Sequence, residues 1–287
     1  MIEIDYSQLN TFINCPHKYR NKYLLGLAKI KIDERDTDKN FGKSVHKSLE
    51  ILYKGGSLEQ AKEIFRKEYQ CVENEKVKTP LHGEKLTEEY WKYWNESTSD
   101  ISDKCLTTAE VESVGDFIIG DKVKYIVKID RIVRSNSGYW VIDHKTSTSL
   151  SYNYFWQFNP NMQISGYVDY ATRKFGQCSG AIIDLLSLGF RQKKYKEFEA
   201  GFHCEFVREI INRNKEQIAD FEKNVLMWTD RIVRSEMLNE FPKNEYYCHG
   251  YKSGCEYKEL CVSCDDSALR DSLYEVVDNK SYLKEGE

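Results

Sequence analysis

The chain has 287 residues, 40% hydrophobic and 31% charged, with a formal net charge of −4. That length suits one large domain or a core with a helical extension, and only 4 prolines and 16 glycines leave little room for disordered linkers. Apolar runs such as Ala181–Leu186 are too short to span a bilayer. The opening Met-Ile-Glu-Ile-Asp lacks the regions of a signal peptide, so the expected compartment is the cytoplasm, with no membrane partner. The charge balance supplies no global basic field for nucleic acid, although a metal site built from carboxylates would itself add negative charge.

In chain order, Ser7 reads as an N-cap with Leu9, Phe12 and Ile13 following at helical spacing, and Pro16 suits the first turn of a second short helix. Three more helices are expected over Gly42–Tyr53, Ser57–Tyr69 and Lys85–Trp94. From residue 107 the pattern alternates. Strands are expected over Thr107–Ile119, Val123–Val133 and Tyr139–Asp143, separated by turns at Gly120-Asp121 and Asn136-Ser137-Gly138. Met162–Phe175 returns to helix, Ala181–Leu188 is a continuous apolar strand, and Lys196–Phe206 alternates again. A long helix is expected over Glu205–Val233, then a cysteine-bearing loop region up to about residue 265. The basic stretch Arg191-Gln-Lys-Lys-Tyr-Lys196 reads either as a nucleic-acid contact or as a solvated turn. Strand, helix and strand after a meander predict an α/β fold with a mixed central sheet, flanked by helices, containing a parallel crossover. The segments are a helical region over 1–104, a core over 105–235 and a cysteine segment over 236–287, forming one compact unit.

Two segments carry chemistry: Lys128-Ile-Asp130 and Val141-Ile-Asp143-His-Lys145. Residues two apart on a strand share a face, so Asp143 and Lys145 point the same way, and a hairpin can bring Asp130 beside them. Two carboxylates can hold Mg²⁺ or Mn²⁺, and a nearby lysine can orient or deprotonate a water and stabilise developing negative charge. The bland alternative is a cross-strand salt bridge. Glu50, Glu110 and Glu112 read as solvated charges.

Among nine cysteines, Cys71, Cys105, Cys178 and Cys204 are scattered and read as small buried hydrophobes. Cys248, Cys255, Cys261 and Cys264 crowd one stretch and Cys15 stands alone, a clustering that points to metal rather than disulfides. Only Cys261 and Cys264 have zinc-knuckle spacing, whereas thiolate-bound iron–sulfur clusters tolerate the wider gaps. Zinc held by the four tail cysteines stays open.

The ordered set of motifs resembles the PD-(D/E)XK nuclease superfamily, in its RecB-like branch. Ser7-Gln-Leu-Asn-Thr-Phe-Ile-Asn-Cys-Pro-His-Lys-Tyr19 looks like that branch's opening, and Gly42-Lys-Ser-Val-His46 like its G-x-x-x-H helix. The Asp130 and Asp143-His-Lys145 strands look like its second and third motifs, and Gln163-Ile-Ser-Gly-Tyr167 like its Q-x-x-x-Y helix. The resemblance implies metal ligation by His46, Asp130, Asp143 and the backbone carbonyl of His144, with Lys145 as the catalytic lysine. Gln163 and Tyr167 would line the site and contact DNA or the lysine. Cys15, Cys248, Cys255 and Cys261 would hold a 4Fe–4S cluster stapling the N-terminal helical region to the C-terminus, with Cys264 surplus. The implied activity is a DNA exonuclease at single-stranded or frayed ends, with Tyr152, Tyr154, Phe155 and Trp156 available for base stacking. Recombination, repair, replication or CRISPR-type processing are the implied settings. No G-x-x-x-x-G-K-[ST] motif is present, so any helicase or recombination partner is a separate chain. The competing class is a DNA-end-binding or assembly subunit with little nuclease activity.

Overall fold

The computed structural model describes residues 1–30, 37–69, 77–148, 150–151, 153–191, 201–249 and 254–278. The chain begins with strand β1 (Ile2–Asp5), helices α1 (Tyr6–Asn14) and α2 (Pro16–Tyr19), a π-helical turn at Arg20–Leu24 and strand β2 (Leu27–Lys29). Helices α3 (Thr37–Tyr53), α4 (Leu58–Glu68) and α5 (Pro80–Glu96) follow. Strands β3 (Thr107–Ile119), β4 (Val123–Ser135) and β5 (Gly138–Ser147) then form the expected meander, with β4 paired to both neighbours. Helix α6 (Met162–Phe175) leads to β6 (Cys178–Arg191) and β7 (Gly201–Asn212). The chain continues through α7 (Lys215–Leu238), α8 (Lys258–Val262), α9 (Ser267–Leu273) and β8 (Tyr274–Val276). Among the described residues no helix is long and apolar enough to cross a membrane.

The chain divides into two compact units, one of residues 1–33, 114–127 and 219–287, the other of residues 34–113 and 128–218. In the second unit β4 runs antiparallel to β5, β5 parallel to β6 and β6 antiparallel to β7, which makes the mixed sheet. Helix α6 is the crossover that returns the chain from β5 to its parallel neighbour β6. The helices α3, α4 and α5 are amphipathic for a common reason. Phe41, Val45, Leu49 and Leu52 recur along one face of α3 and bury against Ala61 and Phe65 of α4, Leu86, Tyr90 and Trp94 of α5, and Leu186 and Leu188 of β6. Ser57 caps α4 through a reciprocal capping box with Gln60.

In the first unit β1 pairs in parallel with the start of β4, from Ile2 opposite Val123 to Asp5 opposite Ile126. Gly120, at φ +50°, makes the turn between β3 and β4. β2 and β8 form a small antiparallel ribbon, and Leu27, Tyr257, Leu260 and Tyr274 bury together around it.

Three local expectations are corrected. The cap of α1 is Asp5, whose carboxylate accepts the Gln8 N–H at 2.7 Å, and Ser7 lies inside the helix. The long helix starts at Lys215, because Val207, Ile210 and Ile211 extend a β-branched strand paired to β6, and reciprocal Asn214–Gln217 bonds set the helix start beyond it. The expected cysteine-bearing loop carries, among the described residues, a 3-10 turn at Glu245–His249 and the short helix α8 rather than loop alone. The expected strand residues 196–200 and most of the basic stretch from Arg191 lie outside the described residues.

Candidate active site

The β4–β5 ladder closes at Arg131 opposite Ile142. One step further along, Asp130 turns its side chain onto the backbone of the neighbouring strand, and the His144 N–H donates to Asp130 Oδ2 at 2.8 Å. Its other oxygen, Oδ1, lies 3.2 Å from Nδ1 of His46 on α3. Gly42 lets that helix come close to β5, since a Cβ there would stand 3.2 Å from Thr146 Oγ1. On β5, alternation puts Asp143 and Lys145 on one face, and Lys145 Nζ sits 2.6 Å from Asp143 Oδ2. The His144 ring points to the opposite face, where it is buried.

A further carboxylate joins this group. Glu112 lies within β3 at φ +49°, in the left-handed region that a non-glycine residue rarely adopts. One ligand atom each from His46, Glu112 and Asp130 lie within 4.8 Å of one another. Reading Glu112 as a solvated charge is therefore wrong: its side chain is only 16% exposed, and Lys128 stands 3.3 Å away. A strand pattern does not reveal a backbone kink, so the sequence carried no signal for it. Glu50 and Glu110 are also paired with lysines, Glu50 with Lys47 and Lys54 and Glu110 with Lys174, and Glu50, at 15% side-chain exposure, is no more solvated than Glu112.

Electrostatics follow from this crowding. Burial opposes the charge on Asp130, but His46, His144 and Lys145 outweigh it and hold its pKa well below the usual carboxylate range. Burial pushes Asp143 up, and the charge on Asp130 adds to the rise against the pull of Lys145. Burial also raises Glu112, again with help from Asp130. Burial would lower His46 and Lys145, but the facing carboxylates, Asp130 above all for His46 and Asp143 for Lys145, raise both. Glu112 and Asp130 thus meet His46 within 4.8 Å, and Asp143, which is outside that trio, is near enough to feel the Asp130 charge. That is the setting a divalent cation relieves, and an imidazole with several carboxylate oxygens fits Mg²⁺ or Mn²⁺.

Gln163 and Tyr167 lie one turn apart on α6, which packs on β5 and β6, and the Gln163 amide donates to the Tyr167 hydroxyl at 2.8 Å. Of the expected stacking residues, Tyr154 and Phe155 are half-buried and meet edge-to-face, Trp156 is 66% exposed, and Tyr152 lies outside the described residues.

In the first unit, Cys15, Cys248, Cys255 and Cys261 all line one cavity of about 280 Å³, together with Lys243 and Tyr257. Cys264 does not line it and is exposed. Burial raises the Cys255 thiol and pushes Cys261 up to about 11. No cysteine among the described residues is disulfide-bonded. Of the scattered thiols, Cys178 is buried and Cys204 half-buried, but Cys105 is exposed, which corrects its reading as a core residue; Cys71 lies outside the described residues.

Carboxylates on adjoining strands, a lysine two residues on and a histidine from a flanking helix define a class: α/β proteins that gather a divalent-ion site beside a fixed ammonium. Within that class the chain belongs to the PD-(D/E)XK nuclease superfamily, whose family model matches residues 4–262. Among solved structures it is similar to a candidate exonuclease from Eubacterium rectale, at 16% identity and a TM-score of 0.49, covering 91% of this chain and 87% of that one. It is also similar to the protein SSO0001, at 16% identity and a TM-score of 0.31, covering 82% of this chain and 88% of that one. No curated protein matches the chain.

Proposed function

We propose that this nuclease is a divalent-metal-dependent deoxyribonuclease of the RecB-like branch, acting as an exonuclease at single-stranded or frayed DNA ends. The observation that carries the reading is the intact Asp130, Asp143 and Lys145 set beside His46. His46, Asp130, Asp143 and the His144 carbonyl hold Mg²⁺ or Mn²⁺, with Glu112 as a further carboxylate on the same corner. Such an ion, when bound, lowers the pKa of a water and offsets charge on the phosphate. Asp130 stays ionised across the working pH range because its pKa is depressed. Lys145, tethered to Asp143, stays protonated in the ion-free site and is placed to orient the attacking water and stabilise the developing oxyanion. Gln163 and Tyr167 border the substrate, and the exposed Trp156 with Tyr154 supplies a stacking surface for an unpaired base.

The four thiols lining one cavity fit a 4Fe–4S cluster on Cys15, Cys248, Cys255 and Cys261, with Cys264 outside it. A cluster there joins the N-terminal helices to the C-terminal segment within the first unit, a structural role that depends on metal loading. DNA is the partner, and an unwinding or recombination protein is a separate chain; recombination, repair, replication and CRISPR-type processing all supply such ends.

Digestion of end-labelled linear and covalently circular DNA with Mn²⁺ tests the reading, with Lys145→Ala as control. The expected result is stepwise loss from ends of the linear strand, an intact circle, and at least a thousandfold slower cleavage by the variant. Equal products from both proteins would show that the chemistry lies elsewhere, and a protein that binds ends without cutting them would be an assembly subunit.

A further inference from the structure

Behind the acidic corner, on the other face of β5, lies a buried charge network that the reading above does not use. Arg131, Asp103, Asp184 and Arg208 have side chains at most 4% exposed. Asp103 receives Arg131 at 2.8 Å and Arg208 at 3.2 Å, and also accepts the Tyr53 hydroxyl at 2.9 Å. Asp184 receives Arg208 Nε at 3.1 Å and the Tyr90 hydroxyl. Two arginines thus balance two aspartates, which is the condition for burying such charges without a large penalty.

His144 is where this network reaches the sheet. Its Nδ1 stands 3.2 Å from Asp184 Oδ2, a contact of ion-pair length rather than an aligned hydrogen bond. Asp184 is the residue directly opposite His144 in the parallel ladder. The Tyr53 ring stacks on the imidazole at 5.9 Å with an interplanar angle of 6°, and the Arg131 guanidinium lies 3.6 Å from the centre of the Tyr53 ring. The ring of His144 is therefore held from two directions. Its backbone is equally constrained, because the same residue donates its N–H to Asp130 Oδ2 and leaves Oδ1 directed toward His46.

We propose that Asp184, fixed by Arg208 and Tyr90, is a positioning residue for the metal centre that acts through His144 to aim Asp130. The inference rests on the divalent-ion site of the proposed function. A ligand carboxylate is effective only while its free oxygen is pointed at the ion. Here that aim depends on a backbone N–H whose own residue is clamped on the far side of the sheet. Outer partners of this kind typically change metal affinity about 10- to 100-fold when removed.

The test is a double-mutant cycle on Mn²⁺ binding, followed by calorimetry and by the electron paramagnetic resonance signal of bound Mn²⁺. The wild type, Asp184→Asn, His144→Phe and the double variant are compared, with thermal unfolding recorded for each. Each single change is expected to weaken Mn²⁺ binding about tenfold, and the double variant should bind no more weakly than the worse single. Unchanged Mn²⁺ affinity in folded single variants, whatever the shift in unfolding temperature, overturns the proposal and leaves Asp184 a packing residue. Additive losses overturn it as well. If Asp184→Asn does not fold, His144→Phe alone decides by its Mn²⁺ affinity. Absence of Mn²⁺ binding by the wild type, or binding that Asp130→Asn does not disturb, would instead sink the metal-dependent reading itself.

Discussion

Glu112→Gln separates a ligand from a bystander because the two roles predict opposite signs. In the ion-free protein a Glu112 oxygen lies within 4.8 Å of one on Asp130. Two like charges at that distance repel by about 1 kcal/mol in water and about 3.5 kcal/mol at an effective dielectric of 20. Lys128 at 3.3 Å offsets much or all of this, and burial is the largest cause that keeps the Glu112 charge unfavourable. A net relief of roughly 1 kcal/mol on removing the charge is expected. The sign with pH is fixed: burial and Asp130 raise the folded pKa of Glu112. The buried charge on Glu112 therefore destabilises the protein above that pKa, and the effect fades as pH falls below it. Urea unfolding in EDTA at pH 8 should find Glu112→Gln as stable as the wild type or more so, and the advantage should vanish toward pH 4. Mn²⁺ calorimetry should show affinity lowered by tenfold or more. A variant that is less stable without metal and binds Mn²⁺ like the wild type would refute both halves of the reasoning.

How much of this was legible in the sequence depends on how far apart the interacting residues lie along the chain. The Asp143–Lys145 contact is set by strand alternation alone, and the meander that delivers Asp130 announces itself in the turns at Gly120 and Gly138. Helix α6 falls at its expected limits because Asn161 caps it and Gly176, at φ +84°, ends it. Glu112 was illegible because its aim comes from a left-handed residue inside an otherwise regular strand. Asp184 and Arg208 were illegible for a different reason. Asp184 interrupts an apolar run that reads as a plain buried strand, and its partners Tyr90 and Arg208 lie 94 and 24 residues away. The start of α7 was misplaced because helical spacing from Glu205 competes with a β-branched run, and pairing to β6 decides the contest.

The buried Asp184 should also govern acid stability. Burial raises its pKa, but Arg208 and its other donors overcome that and bring it to about 2. A depressed folded pKa contributes stability that is complete above the unfolded value near 4 and is lost as pH falls toward 2, here roughly 2 kcal/mol. Acid unfolding of Asp184→Asn should accordingly lack that part of the transition seen in the wild type. Gly83→Ala should destabilise the helical layer by about 1–3 kcal/mol despite its gain in helix propensity, because the new Cβ would fall 2.0 Å from the Phe65 ring; a raised melting temperature would contradict the packing. For the thiol cavity, anaerobically purified Cys15→Ser should lose iron and the visible absorption of a cluster, while Cys264→Ser keeps both. The reverse pattern, or zinc without iron, would reassign the ligands. DNA binding should require the ion. Glu112, Asp130 and Asp143 face Lys145 and Lys128, so with His46 uncharged three carboxylates against two ammoniums leave the empty site at −1, which opposes a phosphate. A divalent cation turns that sum to +1, which favours the phosphate approaching it. Fluorescence anisotropy with a labelled single strand should therefore show binding at least tenfold tighter in Ca²⁺ than in EDTA at matched ionic strength, and Asp130→Asn should erase much of that difference. Equal affinity in both buffers would mean that DNA is held by surfaces remote from the acidic corner.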